Sequence, residues 1–207
     1  MQLSSDTTPA ALVGYDLGAA VATGFAAKYP TFCVGLSLLS PVGFKYKSLP
    51  REKLLRKPYI GEYLMSRMKS SLPQVQRDEF FNQGPKATNK ALIDKYPAMV
   101  TWQITNTSGY LGAILSIYRY FPLRDMEELY AAIGRHPRRV LVIVGNKDNV
   151  CPYKKCIKLI EESFPDGIVV DIADCGHNVP AEKFEETVKE LLLFNKEVFD
   201  RKIVIDL

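Results

Sequence analysis

Four short apolar runs, with helical stretches or longer segments between them, constrain the fold of this chain more than any other feature. They lie at Ala10–Gly14, Cys33–Leu39, Val140–Val144 and Ile168–Ile172. Short continuous apolar runs of this kind are typical of strands buried on both faces of a sheet. Strands that alternate with helices form βαβ units, so the sequence predicts an α/β fold with a parallel sheet.

Three helices are predicted around these runs. The first, Leu17–Tyr29, contains five alanines, whose small side chains let a helix axis approach a sheet closely, and Pro30 ends it. The other two are Lys154–Phe164 and Ala181–Phe199. The apolar side of the last helix is predicted to consist of Phe184, Val188, Leu191, Leu192 and Phe199.

Composition excludes several classes of protein. With 47% hydrophobic and 24% charged residues, the chain has the composition of a globular protein and not of a disordered or fibrous one. No secretory signal opens the chain and its four cysteines form no C-x-x-C pair, which predicts reduced thiols and a cytoplasmic location. No uncharged apolar run reaches the ~18 residues of a membrane span, so no transmembrane segment is predicted.

The middle of the chain differs in charge from the rest. Residues 45–139 carry 17 basic and 8 acidic residues, a net charge of +9, against +4 for the whole chain. This segment is rich in proline and mostly helical in periodicity, which predicts a helical insertion on a core formed by 1–44 and 140–207. Its charge indicates either a solvated surface or one that attracts an anionic or lipid-like small-molecule substrate. No motif indicates nucleic-acid binding.

Three polar residues follow three of the predicted strands. Asp16 comes after the first strand, Asp148 after the third and His177 after the fourth. Open α/β sheets place their active sites at the carboxyl ends of their strands. Gly14 and Gly18 flank Asp16, and a turn this tight needs residues without bulk on both sides. We therefore expect Asp16, Asp148 and His177 to form one site.

The stretch from Gly14 to Gly18 resembles the nucleophile elbow of the α/β-hydrolase superfamily, G-x-S-x-G, with aspartate in the serine position. The order nucleophile, acid, histidine and the insertion between the second and third strands also match that family. The resemblance implies an α/β-hydrolase fold. This chain would supply its C-terminal portion, parallel strands five to eight of the family sheet, with residues 45–139 as an inserted helical cap.

The resemblance also implies roles for the site residues. Asp16 would be the nucleophile and the backbone N–H of Leu17 an oxyanion donor, with His177 as general base and Asp148 as the group that orients it. Superfamily members with aspartate at the elbow resemble haloalkane dehalogenases and epoxide hydrolases. In them a carboxylate attacks an sp3 carbon and the histidine activates water to hydrolyse the ester. The implied function is hydrolysis of a small ester, epoxide or haloalkane-like substrate.

Leaving-group stabilisation is expected from aromatic side chains of the cap with a polar hydrogen. Neither a cofactor nor a metal is predicted, because His136 is the only other histidine and a histidine-based metal cluster needs more. The candidate donors are Trp102, Tyr96, Tyr110, Tyr118 and Tyr120.

Other interpretations of these residues remain open. Asp16 could cap the following helix, as aspartate commonly does. A serine-hydrolase relative in which aspartate replaced the serine would be inactive and act as a binding scaffold. The family has four strands and its first oxyanion loop ahead of the elbow strand, where this chain has about nine residues. We therefore expect an N-terminally truncated sequence, with completion of the fold by another segment and a non-functional fragment as alternatives. Without the missing part, the first strand would be an exposed apolar edge.

Overall fold

The predicted apolar runs form the strands of one parallel sheet in the computed structural model of the protein. The structure describes residues 9–45, 50–82, 84, 86, 88–123 and 125–205. The spatial order of the strands is their order in the chain, and each pairs in parallel with the next, which confirms the predicted fold class. The strands are β1 (Ala10–Tyr15), β2 (Cys33–Leu39), β3 (Arg139–Gly145) and β4 (Ile168–Ile172).

Helices connect the strands and extend beyond the last of them. One lies between β1 and β2, a group lies between β2 and β3, one joins β3 to β4, and two follow β4. They are α1 (Leu17–Lys28), α2 (Pro50–Leu55), α3 (Ile60–Met68), α4 (Leu72–Phe80), α5 (Lys90–Asn106), α6 (Tyr110–Tyr120), α7 (Glu127–Gly134), α8 (Tyr153–Ser163), α9 (Val179–Glu182) and α10 (Phe184–Ile205).

The strands send alternate side chains to the two faces of the sheet. In β3, Val140, Val142 and Val144 belong to one apolar cluster, whereas Leu141 and Ile143 belong to another. This two-residue period is that of a strand buried on both faces. The first cluster also contains side chains from α1, α7 and α8, and the second contains side chains from α10. Helices therefore cover both faces of the sheet.

The C-terminal helix packs through a side that matches the predicted one only in part. Of the predicted residues, Leu191 packs against the cluster on this face of the sheet, whereas Phe184, Leu192 and Phe199 are exposed. Phe194 and Val198, which were not predicted, are buried there. A Cβ on Gly35 in β2 would lie 2.9 Å from a methyl carbon of Val198. The glycine thus opens a space on the sheet, and the residue that fills it rotates the buried side of α10 away from the predicted one.

The helices between β2 and β3 divide into two groups. Helices α2, α3, α4 and α6 share an apolar cluster of their own, built on Leu55, Met65, Leu72 and Leu115. Helix α7 instead buries Tyr130 and Ile133 in the cluster that covers the sheet, and the ring of Tyr130 contacts that of Phe164. One helix of the segment predicted as an insertion, residues 45–139, thus packs with the core.

Strand β1 lies at one edge of the sheet. In the described part of the chain it pairs with β2 alone, and Val13 on β1 and Val21 on α1 are at least half exposed. β1 is therefore an apolar edge strand among the described residues. None of the helices in these ranges has both the length and the apolar character needed to cross a membrane.

Candidate active site

The three predicted site residues lie together at the carboxyl edge of the sheet. The imidazole of His177 stands between two carboxylates. Its Nδ1 is 2.8 Å from Oδ2 of Asp148, and its Nε2 is 3.2 Å from Oδ1 of Asp16. Each residue comes from the turn after a different strand, β1, β3 or β4, and parallel pairing brings those turns to one edge. The structure thus joins the three side chains that the sequence predicts to form one site.

Asp16 occupies a strained backbone position. Its φ of 53° and ψ of −119° lie in a region that residues with a Cβ rarely adopt. The backbone holds it there, since its N–H donates to the carbonyl of Leu39 at 3.0 Å and its carbonyl accepts from the N–H of Ala19 at 3.1 Å. The side chain makes no capping hydrogen bond to α1. Asp16 therefore stands at the N-cap position of α1 without capping it through its side chain, and the carboxylate instead contacts His177.

Asp148 is buried and held by three hydrogen bonds. Its Oδ1 accepts from the backbone N–H groups of Val150 at 2.8 Å and Cys151 at 2.9 Å, and its Oδ2 faces His177. Because both oxygens are engaged, the carboxylate cannot turn without losing a bond. The turn after β3 therefore fixes the orientation of the imidazole through this one side chain.

His177 is fully buried, with the rings of Tyr15 and Phe80 at centroid distances of 5.6 and 5.3 Å. Burial alone lowers the pKa of His177, but the charge and hydrogen bond of Asp148, followed by those of Asp16, outweigh it and raise this pKa to about 9. With a proton on each ring nitrogen, the imidazole donates to both carboxylates. At neutral pH His177 is therefore an imidazolium paired with both carboxylates.

A cavity of about 360 Å³ opens onto Asp16 and Leu17. Leu17 begins α1 and lines this space, so its backbone N–H belongs to a helix N-terminus, where a negative oxygen would be stabilised. The rest of the wall comes mainly from α2, α3, α4 and α6 and is largely apolar. Its apolar members include Leu55, Met65, Met68, Leu72, Ile114 and Ile117.

The charges on the cavity wall do not match the basic surface of the middle segment. The charged side chains that line it beside Asp16 are Glu52, Glu79 and Lys155, and the lysine belongs to α8. Among the described residues, no cation of 45–139 lines the cavity. The described cations of that segment therefore lie outside the cavity wall, and this wall gives no support to an anionic substrate.

Residues 1–184 match the family model described as the alpha/beta hydrolase fold. The chain belongs to the α/β-hydrolase fold family. This confirms the resemblance read from the elbow motif and from the order of the three polar residues along the chain. No curated protein sequence matches this α/β-hydrolase chain.

Solved structures share the α/β-hydrolase architecture with this chain. A thermophilic esterase from Thermogutta terrifontis superposes with a TM-score of 0.71 at 20% identity, covering 93% of this chain and 66% of that one. A bromoperoxidase from Bacillus anthracis gives 0.71 at 18% identity, with coverages of 92% and 68%. A meta-cleavage product hydrolase from Pseudomonas fluorescens gives 0.65 at 18% identity, with coverages of 93% and 66%. The chain spans about two thirds of the length of these structures, and the likeness shows the fold.

The two glycines of the elbow differ in what they do. A Cβ on Gly14 would lie 2.4 Å from the carbonyl oxygen of Gly18 and 2.7 Å from the backbone of Ala19. A Cβ on Gly18 would meet nothing within 4 Å in the described structure. The requirement for a residue without bulk therefore holds at Gly14, where α1 crosses the strand. It was wrong at Gly18, which faces outward from the first turn of α1.

This difference predicts opposite responses to the same substitution. We expect Gly14→Ala to destabilise the protein by about 3 kcal/mol, because the added methyl group meets backbone atoms that cannot move independently. The matched control Gly18→Ala should leave stability unchanged or raise it by up to about 1 kcal/mol, since alanine favours a helix over glycine. Denaturant unfolding of both variants beside the native protein measures this, and equal losses would contradict it.

One of the candidate leaving-group donors lies at the cavity. Tyr118 of α6 lines it, whereas Trp102 and Tyr120 are 64% and 80% exposed and stand outside its wall. Tyr96 packs against the ring of Phe80, and burial raises the pKa of Tyr96 to about 12. Tyr118 is therefore the candidate that lines the cavity together with Asp16, and Tyr96 is a second candidate, because after burial and Tyr110 the charge of Asp16 also raises its pKa.

Glu182 belongs to the same site but has no sequence motif. It ends α9, is buried, and accepts hydrogen bonds from the backbone N–H groups of Gly176 and Asn82. The one hint in the sequence is that its helix, Val179–Glu182, is otherwise apolar. Asn82 lies 100 residues away, so the contact between these residues could not be predicted from local pattern.

The side chains of the three site residues pair with one another. Within the described ranges, no group of three or more histidine, cysteine, aspartate or glutamate side chains is arranged to hold a metal ion. The carboxylates of Asp16 and Asp148 are instead directed at His177. The arrangement suits nucleophilic and general-base chemistry by the side chains themselves.

Proposed function

We propose that this chain acts as a hydrolase of a small apolar epoxide, haloalkane or ester, with Asp16 as nucleophile, His177 as general base and Asp148 as its orienting partner. The observation that carries the proposal is the carboxylate–imidazole–carboxylate array, with contacts of 3.2 and 2.8 Å, built on a strained elbow. The apolar cavity beside Asp16 gives a small molecule access to it. Neighbours named as an esterase and a hydrolase support a hydrolytic reaction.

The first step needs no base, because a carboxylate is already a nucleophile. An oxygen of Asp16 attacks the sp3 carbon, so that a C–O bond forms as the bond to the halogen or to the epoxide oxygen breaks. The bonding pair leaves as halide or alkoxide. The candidates for donating a proton to an epoxide oxygen are Tyr118, which lines the cavity, and Tyr96, whose pKa is raised by burial, by Tyr110 and by the charge of Asp16. The donor then regains a proton from solvent.

The second step begins when the ester has removed the negative charge of Asp16. One of the two carboxylates that raise the pKa of His177 is then neutral, so this pKa falls and the imidazole loses its proton to solvent. His177 then takes a proton from water, whose oxygen attacks the ester carbonyl, and the backbone N–H of Leu17 stabilises the oxyanion. Collapse expels the alkoxide, which takes the proton from His177 and leaves as the alcohol, and Asp16 remains as a carboxylic acid. The proton of this acid then passes to Nε2 of His177, which restores the carboxylate and the resting ion pair.

Oxygen labelling tests this sequence directly. In a single turnover in ¹⁸O-water, we expect the new hydroxyl of the product to be unlabelled because its oxygen comes from Asp16. The label should then be found in the carboxylate of Asp16. Mass spectrometry of the product and of the peptide that contains Asp16 measures both. A labelled product with an unlabelled peptide would show direct attack by water and contradict the proposal.

A second candidate is an inactive serine-hydrolase relative that serves as a binding scaffold. The ion pair of the resting site favours this alternative, because a protonated His177 already donates a hydrogen bond to one oxygen of Asp16. Under this alternative the native protein turns over no epoxide, haloalkane or ester probe, while Asp16→Ser creates esterase activity. The nucleophile proposal requires turnover by the native protein, and loss of alkyl-substrate turnover in Asp16→Ser.

We further propose that α2–α6 form the cap and that α7 belongs to the core. Helices α2, α3, α4 and α6 share their own apolar cluster and supply most of the cavity wall. Helix α7 contributes Tyr130 to the cluster that covers the sheet. The cap would then end before Glu127 and not at residue 139.

A further inference from the structure

The least expected group near the site is the carboxylate of Glu182. It is nearly completely buried at the end of α9, and the described residues place no ammonium or guanidinium within ion-pair distance of it. Its Oε1 accepts from the N–H of Gly176 at 2.9 Å and its Oε2 accepts from the N–H of Asn82 at 3.1 Å. Burying a carboxylate costs free energy that these two hydrogen bonds must offset, which indicates that Glu182 has a specific role in this part of the fold.

The first of these bonds acts on the residue next to His177. Gly176 fits so tightly that a Cβ on it would lie 2.6 Å from both Oε1 of Glu182 and the backbone nitrogen of Asn82. A shift of Gly176 would carry His177 with it, because the two are adjacent in the chain. Glu182 therefore holds in place the loop that carries the imidazole between its two carboxylates.

The second bond joins this loop to the end of α4. The N–H of Asn178 donates to the carbonyl of Phe80 at 2.8 Å, and the side-chain amide of Asn82 donates to the carbonyl of Asp174 at 2.8 Å. Together with the bond to Glu182, these contacts fix the segment that places the ring of Phe80 against His177. Helix α4 also lines the cavity. The same set of contacts therefore fixes both the loop that carries His177 and one wall of the cavity.

We propose that Glu182 is a positioning residue for His177, whose two-oxygen contact with Gly176 and Asn82 holds the imidazole in line with Asp16 and fastens the end of α4 over it. The proposal rests on the proposed function in one respect, that His177 acts in the second step. It requires a carboxylate, since two N–H donors need two acceptor oxygens.

The protonation of Glu182 bears on this contact. Burial raises the pKa of Glu182 to about 7, against the opposing effect of the two N–H donors. Lys183 also lowers it and Asp148 raises it, and the other titratable groups that face it are Tyr15 and Cys175. A protonated carboxyl has one hydroxyl oxygen, which weakens one of the two contacts. The contact is therefore complete above about pH 7 and weaker below it.

Substitution of Glu182 separates the two chemical steps. Glu182→Gln keeps the size but turns an NH₂ group toward one of the N–H donors, and Glu182→Asp keeps the charge but is too short to reach both. We expect each to slow hydrolysis of the Asp16 ester roughly 10- to 100-fold, the cost of misplacing a catalytic group. At saturating substrate, the rate of ester formation on Asp16 should change less than two-fold, because this step does not use His177. Burst kinetics with an epoxide or haloalkane measure both rates.

A readout independent of activity is the NMR titration of His177, with exposed His136 as internal reference. Both substitutions should shift the titration of His177. The matched control is Glu186→Gln, an exposed carboxylate on α10 paired with Lys183 at 3.5 Å, which should move neither the rates nor the titration. If the native protein forms no ester, the proposed function fails and the titration alone decides this inference.

Three results would overturn the proposal. One is an unchanged His177 titration in both folded variants, and another is an equal slowing of both steps, which would mean a merely structural role. If neither variant folds, the native protein decides. Its His177 environment should then change between about pH 6 and pH 8 as Glu182 titrates, and a His177 ring resonance insensitive to pH across this range would overturn the proposal.

Discussion

Replacing His177 by glutamine is expected to stop the proposed reaction after its first step and to leave a covalent ester on Asp16. Alkylation requires only the carboxylate, whereas hydrolysis requires the imidazole as a base. Loss of a general base slows the step it assists by roughly 10²- to 10⁴-fold, so the ester should accumulate to one per molecule. Mass spectrometry of the intact protein after incubation with an epoxide or haloalkane measures the added mass.

Two further variants make this result specific. His136→Gln changes the other histidine, which is exposed and distant in sequence, and should behave like the native protein. The double variant Asp16→Ala/His177→Gln should form no adduct, which would locate the ester at Asp16. An adduct that persists in the double variant, or a folded His177→Gln protein that gains no mass with any probe, would count against the nucleophilic role.

The sheet and the grouping of the site residues could be predicted because both depend on local pattern. A strand buried on both faces reads as a continuous apolar run, and for β2 and β4 the predicted bounds are those observed. Once the strands are parallel, the turns after them share one edge. Asp16, Asp148 and His177 were therefore predicted to lie at one edge, although β1 and β4 are the outer strands of the sheet and the contact of His177 with Asp16 depends on the loop after β4.

Contacts between distant segments could not be predicted in the same way. The side of α10 that is buried depends on the space at Gly35, which lies in another strand. The bond between Glu182 and Asn82 joins residues with no shared motif. The net charge of residues 45–139 also failed to predict the charge of the cavity wall. Net charge sums the side chains on the outer and inner faces of a helix and does not distinguish between them. Such features follow from packing and leave little trace in a single sequence.

The second large effect is expected for Asp148→Asn. The N–H groups of Val150 and Cys151 need an acceptor, so the amide oxygen of asparagine will face them and its NH₂ will face Nδ1 of His177. The imidazole must then carry its proton on Nε2, where it cannot accept one from water. Hydrolysis of the ester should fall roughly 10³- to 10⁴-fold, and steady-state and burst kinetics beside the native protein measure the loss.

The same substitution should change stability in a way that depends on pH. His177 has a pKa of about 9 in the fold against 6.5 for the free side chain. Its pairing with carboxylates therefore contributes fully below about pH 6.5 and is lost as the pH rises through about 9. Removing the charge of Asp148 leaves a buried imidazole with a weaker partner, which should cost about 3 kcal/mol near pH 6 and progressively less toward pH 10.

Thermal unfolding at several pH values between about 6 and 10 measures this change against a matched control. Asp171→Asn alters an exposed carboxylate that accepts the hydroxyl of Tyr153 at 2.6 Å, and its small effect should be constant over that range because the pKa of Tyr153 is raised to about 12 by this bond. If the loss in Asp148→Asn were equally constant, His177 would not be an imidazolium in the resting site. The second step would then need no fall in its pKa, and esterification of Asp16 could not be what prepares the base.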